Sequence, residues 1–323
     1  MTIPVWNDYK NFRKLTDEEL DKDINSLVKW KADKNENKLI GNKTIYHYQF
    51  ENIAKTKSDS GHTKSFYEWI NDDILKVKLY NFMIKRNRNK ERFSCLGRGC
   101  DAKLVSQRQP LVEDCSPGTP LRSNRNSILS EYFEALRANK GSVVIFRPST
   151  AKFIYKYYNA TNVLDFSAGW GGRMLGAFAL NIGYTGIDTN INLKEGYDKF
   201  IFKTGKENLK MIYQNCLDVD LSKIEYDLVL TSPPYENVEI YENMKLFKNQ
   251  NEFYIDFLIK MIDRCLYYIK NNGWVCINIS GKMYKILTEK YKYRECDEKH
   301  ILPQSKNQRN PNKIDYIFCW KSQ

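Results

Sequence analysis

The run Asp227-Leu-Val-Leu-Thr-Ser-Pro-Pro-Tyr235 joins an apolar strand to two prolines and an aromatic ring. Proline donates no ladder hydrogen bond, so Pro233-Pro234 ends the strand and fixes a rigid tip. That tip presents Thr231, Ser232, the main-chain carbonyl at Pro233, then Pro234 and Tyr235. These groups suit an exocyclic amine on a flat ring, whose lone pair is delocalised and poorly nucleophilic. The Ser232 hydroxyl and the carbonyl can accept its two N–H bonds and favour a pyramidal nitrogen. Tyr235 can stack on the ring. A base inside a duplex is out of reach, so it has to be flipped out, and stacking offsets part of that cost.

A second constellation lies upstream. In Leu164-Asp-Phe-Ser-Ala-Gly-Trp-Gly-Gly-Arg173 an acid ends a strand and Gly169, Gly171 and Gly172 follow. Glycines there let the backbone turn tightly and approach a ligand, and the next helix offers free N–H groups. The spacing is not the G-x-G-x-x-G of a dinucleotide fold. Asp188 ends the following strand, where a carboxylate can bind both hydroxyls of a ribose. A nucleoside-containing cofactor is the expectation.

With both motifs quoted, the chain resembles the amino-methyltransferases of DNA, S-adenosylmethionine enzymes that methylate cytosine N4 or adenine N6. DFSAGWGGR is similar to their first cofactor motif and TSPPY to their catalytic motif. The S-P-P-Y form is associated with cytosine N4. The resemblance covers about residues 146–323 and implies cofactor contacts from Asp165, Phe166, Ser167, Ala168, Gly169 and Gly171 toward methionine and ribose. It implies Asp188 on the ribose hydroxyls, Thr189 near adenine, and Asp218 as the acid after the third strand. The segment Phe146-Arg-Pro-Ser-Thr-Ala-Lys152 stands where the family has H-P-T-Q-K-P. Only Pro148 and Lys152 match, with Thr150 a hydroxyl contact. No Pro-Cys dipeptide occurs, which argues against the covalent C5-cytosine route.

The elements that must position these residues follow from periodicity. Strands are predicted at 162–166, 184–188, 211–214, 227–231 and 274–279, with helices at 173–180 and 252–270. A hairpin is predicted from 301–302 and 314–320. Strands separated by helices imply an α/β fold: a Rossmann-like, doubly wound, mostly parallel seven-stranded sheet with a C-terminal antiparallel hairpin. The catalytic domain is drawn over residues 141–323. Residues 1–140 read as a mainly helical, basic region, with helices from a Thr16-x-x-Glu19 capping box to about Trp30, at 66–84 and at 127–139.

The formal net charge of +12 favours a polyanionic partner. Residues 76–108 hold ten Lys/Arg against Glu91 and Asp101, with Tyr80, Phe82 and Phe93 interleaved. Phosphate contacts are therefore expected from Lys85, Arg86, Arg88, Lys90 and Arg92, and from Lys306, Arg309 and Lys313 in the hairpin loop. The expected partner is double-stranded DNA with its target base flipped out; a cognate restriction endonuclease is a further partner of the same reading. No apolar run approaches a membrane span and the start lacks an apolar signal core, so a cytoplasmic protein is expected. The Lys, Asn, Ile and Tyr bias points to an AT-rich genome, bacterial or viral. Eight irregularly spaced cysteines read as reduced thiols. Cys95, Cys100 and Cys115 have poor spacing for zinc, so no metal is expected. The expected function is methyl transfer to cytosine N4 of DNA. Adenine N6 or RNA is the first alternative, and a non-catalytic DNA-binding or partner subunit is another. A nicotinamide dehydrogenase gives TSPPY no task.

Overall fold

Thr16 and Glu19 form the capping box that their spacing predicts: the Thr16 hydroxyl accepts from the Glu19 amide at 3.2 Å, and the Glu19 carboxylate accepts from the Thr16 amide at 3.0 Å. Helix α1 (Asp17–Lys29) starts there and buries Leu20, Ile24 and Leu27, the i, i+4, i+7 positions of one face. The computed structural model describes residues 15–36, 38–56, 65–72, 145–234, 247–302 and 315–322. The chain divides into two compact units. One takes Met1–Lys14 and Ala54–Val143, the other Leu15–Ile53 and Val144–Gln323. The break at Val143–Val144 lies close to residue 140, and Leu15–Ile53 group with the sheet rather than with the rest of residues 1–140.

In the smaller unit the helix expected over 66–84 is described as α3 (Phe66–Asn71), capped by Ser65 and Glu68. The remainder of that helix and the one expected at 127–139 lie outside the described residues.

In the larger unit α2 (Asn42–Lys55) precedes α4 (Pro148–Tyr157), β1 (Asn162–Asp165), α5 (Gly172–Phe178) and β2 (Gly183–Ile187). Then come α6 (Lys194–Thr204), β3 (Leu209–Ile212) and β4 (Leu228–Thr231). A π-helical stretch, Glu252–Ile259, runs directly into α7 (Lys260–Tyr268), followed by β5 (Trp274–Ser280), α8 (Gly281–Lys285), β6 (Glu298–Ile301) and β7 (Asp315–Lys321). The sheet order is β3-β2-β1-β4-β5-β7-β6. β7 runs antiparallel between β5 and β6, and the other pairings are parallel. This is the Rossmann-like seven-stranded fold with an antiparallel C-terminal hairpin.

Alternate residues of the central strands feed two cores. Val163, Leu228, Leu230 and Cys276 pack with Leu27, Ala151, Ile154 and Leu175 on one face. Leu164, Val229, Val275 and Ile277 pack with Phe253, Leu258, Met261 and Ile262 on the other. Strands covered on both faces read as continuous apolar runs, which is why β4 and β5 stood out in the sequence.

Three details differ from the sequence expectations. The third strand lies two residues earlier than predicted, over Leu209–Ile212. Residues 148–157 form a helix with Pro148 at its first turn, where a missing N–H does no harm. Asp227 precedes β4, and its carboxylate accepts the Thr161 and Asn162 amides at 3.0 and 3.1 Å, tying the starts of β1 and β4 together.

Candidate functional site

β1 is the point where the sheet order reverses: the chain leaves it toward β2 on one side, and β4 lies on the other. Ligands of open α/β sheets bind at the carboxyl ends of strands beside such a point. The glycine turn leaves β1 at that edge and Ser232-Pro233-Pro234 leaves β4 there. The register Leu164↔Val229 sets the two tips one strand apart, about 4.8 Å.

The glycine turn is held from inside. Asp165 is 0% exposed, and its carboxylate accepts Arg173 Nε and the Tyr184 hydroxyl, each at 2.6 Å, and the Ser167 amide at 3.3 Å. Arg173, 4% exposed, also donates to the Ser167 carbonyl and lies over the Phe146 ring, 4.9 Å from its centroid. The Tyr197 hydroxyl donates to the Gly169 carbonyl at 2.8 Å. Gly169 and Gly171 have φ of +57° and +95°, values that favour glycine. A Cβ on Gly172 would lie 1.9 Å from the Phe146 carbonyl oxygen, so the helix start and the segment before α4 meet backbone to backbone.

Asp188, just past β2, is half-buried. Its Oδ2 accepts the Gly169 amide at 2.8 Å and its Oδ1 the Asn190 amide at 2.9 Å. Burial pushes its carboxyl above the ordinary 3.8, opposed by those two amides. A carboxylate offers about four lone-pair positions. Two remain, one on each oxygen, and they suit a pair of vicinal hydroxyls. The space around Gly169 is open as well: a Cβ there would meet only the Ser167 carbonyl, at 3.9 Å. Two fully buried hydroxyls, Thr231 Oγ1 and Thr150 Oγ1, have no hydrogen-bond partner among the described residues. Open space and spare acceptors fit a nucleoside-bearing ligand.

At the β4 tip, Thr231 is buried and Ser232 is half-buried, with its hydroxyl donating to Asn278 Oδ1 on β5 at 3.1 Å. Pro233 is buried and Pro234 half-buried. Tyr235 lies outside the described residues, as do Lys85, Arg86, Arg88, Lys90, Arg92, Lys306, Arg309, Lys313, Cys95, Cys100 and Cys115. Among the described residues no group of His, Cys, Asp or Glu is placed to hold a metal ion.

Some residues singled out in the sequence sit away from a ligand surface. Asp165, Phe166 and Ala168 are 0%, 2% and 2% exposed, so their side chains shape the turn from within. Pro148 is buried at the start of α4. Lys152 is drawn away from a ligand role: its ammonium caps α1 by donating to the Leu27, Val28 and Trp30 carbonyls at 2.7–2.8 Å. Asp218 and Thr189 are exposed. Nothing in the sequence pattern pointed to Tyr197 or Asn278. Arg173, directly after the paired glycines, was the one visible clue to an inner partner for Asp165. Tyr213, one residue past β3, was also missed, and its buried hydroxyl has no partner among the described residues.

No family model matches the chain, and no curated protein matches it. Several solved structures are similar to it at low identity. TrmN from Thermus thermophilus is 12% identical with a TM-score of 0.40, over 64% of this chain and 70% of its own. An rRNA methylase from Streptococcus thermophilus is 15% identical with a TM-score of 0.36, over 56% and 100%. An RNA methyltransferase from Salinibacter ruber, in complex with S-adenosyl-L-homocysteine, is 11% identical with a TM-score of 0.37, over 55% and 93%. Likeness at this level leaves the activity to be argued from the residues.

Proposed function

We propose that the protein is an S-adenosylmethionine-dependent methyltransferase acting on the exocyclic amine of a flipped base in DNA, cytosine N4 in preference to adenine N6. The observation that carries this reading is the adjacency of two tips at one sheet edge. The glycine turn with Asp188 supplies acceptors for a nucleoside, and Ser232-Pro233-Pro234 emerges one strand spacing away.

When bound, S-adenosylmethionine supplies an electrophilic methyl on a sulfonium and leaves as a neutral thioether. Asp188 would hold the ribose hydroxyls through its two spare lone pairs. The Gly169–Gly171 backbone would let the ligand approach, whereas the Thr150 and Thr231 side chains are fully buried. Ser232 and the Pro233 carbonyl would accept the two amine protons and hold the nitrogen toward the methyl group. After transfer, the amine sheds one proton to solvent. Tyr235 would stack on the base. The net charge of +12 supplies the attraction to phosphate that any nucleic acid needs. The preference for DNA and for cytosine rests on the S-P-P-Y resemblance.

The test incubates the chain with labelled S-adenosylmethionine and with DNA or RNA, digests each product to nucleosides and identifies the modified base by mass. N4-methylcytosine in DNA is expected. Label in RNA, or on adenine N6, would move the substrate and keep the chemistry. Tight DNA binding with no label would replace the enzyme by a binding subunit. Ser232→Ala should lower turnover by roughly 10²–10³-fold with cofactor affinity unchanged, by analogy with removal of one positioned hydrogen-bonding group.

A further inference from the structure

Asn278 lies on β5, paired with Ile317 of β7 and next along the strand from Ile277, the partner of Thr231. It is 4% exposed, and both ends of its amide are engaged. Nδ2 donates to the Tyr316 carbonyl at 3.0 Å, and Oδ1 accepts the Ser232 hydroxyl at 3.1 Å. A carbonyl only accepts, so the NH₂ end has to face Tyr316 and the amide cannot flip without losing that bond. Oδ1 is therefore fixed toward Ser232. A serine hydroxyl owns one proton and two lone pairs. With its proton directed to Asn278, Ser232 can only accept from anything that reaches the β4 tip. The neighbouring Thr231 hydroxyl, fully buried, has no such partner among the described residues.

We propose that Asn278 is a positioning residue that sets which class of base the tip accepts. By taking the only proton of Ser232, it commits the tip to rings bearing an amine and excludes rings bearing a carbonyl at the same place. This inference rests on the reading of residues 231–235 as the base-holding tip. Cytosine presents an amine donor where uracil and thymine present an O4 acceptor on a ring of the same outline. Facing Ser232, that carbonyl would set two acceptors against each other with no proton between them. The adenine amine passes the same filter and the hypoxanthine carbonyl fails it, so the device selects amines rather than cytosine alone.

The experiment uses the full chain, oligonucleotide pools randomised around one cytosine as substrate, and the same pools carrying uracil as competitive inhibitor. If adenine proves to be the base modified, the pair is adenine against hypoxanthine. The wild type should bind the uracil pool roughly 10–100-fold more weakly than the cytosine pool, the cost of one unmade buried hydrogen bond. Asn278→Leu, similar in shape and without an acceptor, should narrow that ratio to about threefold or less and lower kcat, with KM for S-adenosylmethionine unchanged. In a Ser232→Ala background the same substitution should have no further effect on the ratio, because the two residues act as one unit. Should Asn278→Leu fail to fold, Asn278→Asp keeps an oxygen toward Ser232 and should keep the discrimination. Undiminished discrimination in Asn278→Leu, an equal effect with and without the Ser232 hydroxyl, or discrimination lost in a folded Asn278→Asp would each overturn the assignment to Asn278 alone. A wild-type chain that labels no nucleic acid would remove the methyltransferase reading and this inference together.

Discussion

The turn after β1 and the end of β2 stand side by side at one sheet edge. Each carries an aspartate, and the two carboxylates are used in opposite ways. Asp165 has no exposed surface and three internal donors, one of them the buried guanidinium of Arg173. Asp188 is half-buried, holds two backbone amides and keeps one free lone pair on each oxygen. Both occupy places where the sequence pattern expects a ligand contact. The difference teaches that a motif position locates an acid near a site, whereas its exposure and its count of spare lone pairs decide whether it binds a ligand or builds the loop that does.

The strongest way to break the comparison is Asp165→Asn. It leaves the Arg173 guanidinium buried without its counter-charge, and a loss of about 3–5 kcal/mol in unfolding free energy is expected by chemical denaturation. A change below about 1 kcal/mol would place Asp165 with ordinary surface acids.

Asp188→Asn should do the reverse. The side-chain oxygen can still accept one amide, so thermal stability should change little. Affinity for S-adenosylhomocysteine, measured by calorimetry, should fall about 10–100-fold, the worth of a hydrogen bond to a charged acceptor. Unchanged affinity would remove Asp188 from the ribose. The pH dependence sharpens the contrast. Burial raises the Asp188 carboxyl above 3.8 in the folded chain, so the native state holds that proton more tightly than the unfolded state does. Its contribution to stability is present below the unfolded pKa and is lost as pH rises through the folded one. The wild type should therefore lose stability relative to Asp188→Asn as pH rises from about 4 toward neutrality, read by denaturation at the two ends.

Gly169→Ala tests the backbone that links the two carboxylates. The new methyl group would meet only the Ser167 carbonyl, at 3.9 Å, so the loss should be conformational, about 1–2 kcal/mol in thermal or chemical melts. The smallest effect is expected at Lys199, whose exposed pair with Glu195 on α6 is an i, i+4 surface contact. Lys199→Ala should cost at most about 0.5 kcal/mol, the baseline against which the buried pair is judged.

Much of the fold was legible in local pattern. The Thr-x-x-Glu start of α1 and the apolar runs of β1, β4 and β5 are consequences of near neighbours, so reading along the chain finds them. Helix α4 carries a signal too, proline followed by apolar residues at 151, 154 and 155, on a segment that also resembles a cofactor motif. The π-helical stretch at Glu252–Ile259 reads as ordinary helix because both conformations bury the same apolar stripe.

At the site, the sequence by itself determined the chemical inventory: glycines that can adopt positive φ, acids at the ends of two strands, and a hydroxyl ahead of two prolines. It also determined that these fall on strand ends, because apolar runs stop there. Only the tertiary structure decided what each group is free to do. Asp165 is claimed by Arg173 and Tyr184, Lys152 by the end of α1, and the Ser232 proton by Asn278, 46 residues away. A hydrogen bond engages one proton and one lone pair, and which donor meets which acceptor across the fold is set by strand order and register. Neither is carried by the spacing of residues along the chain.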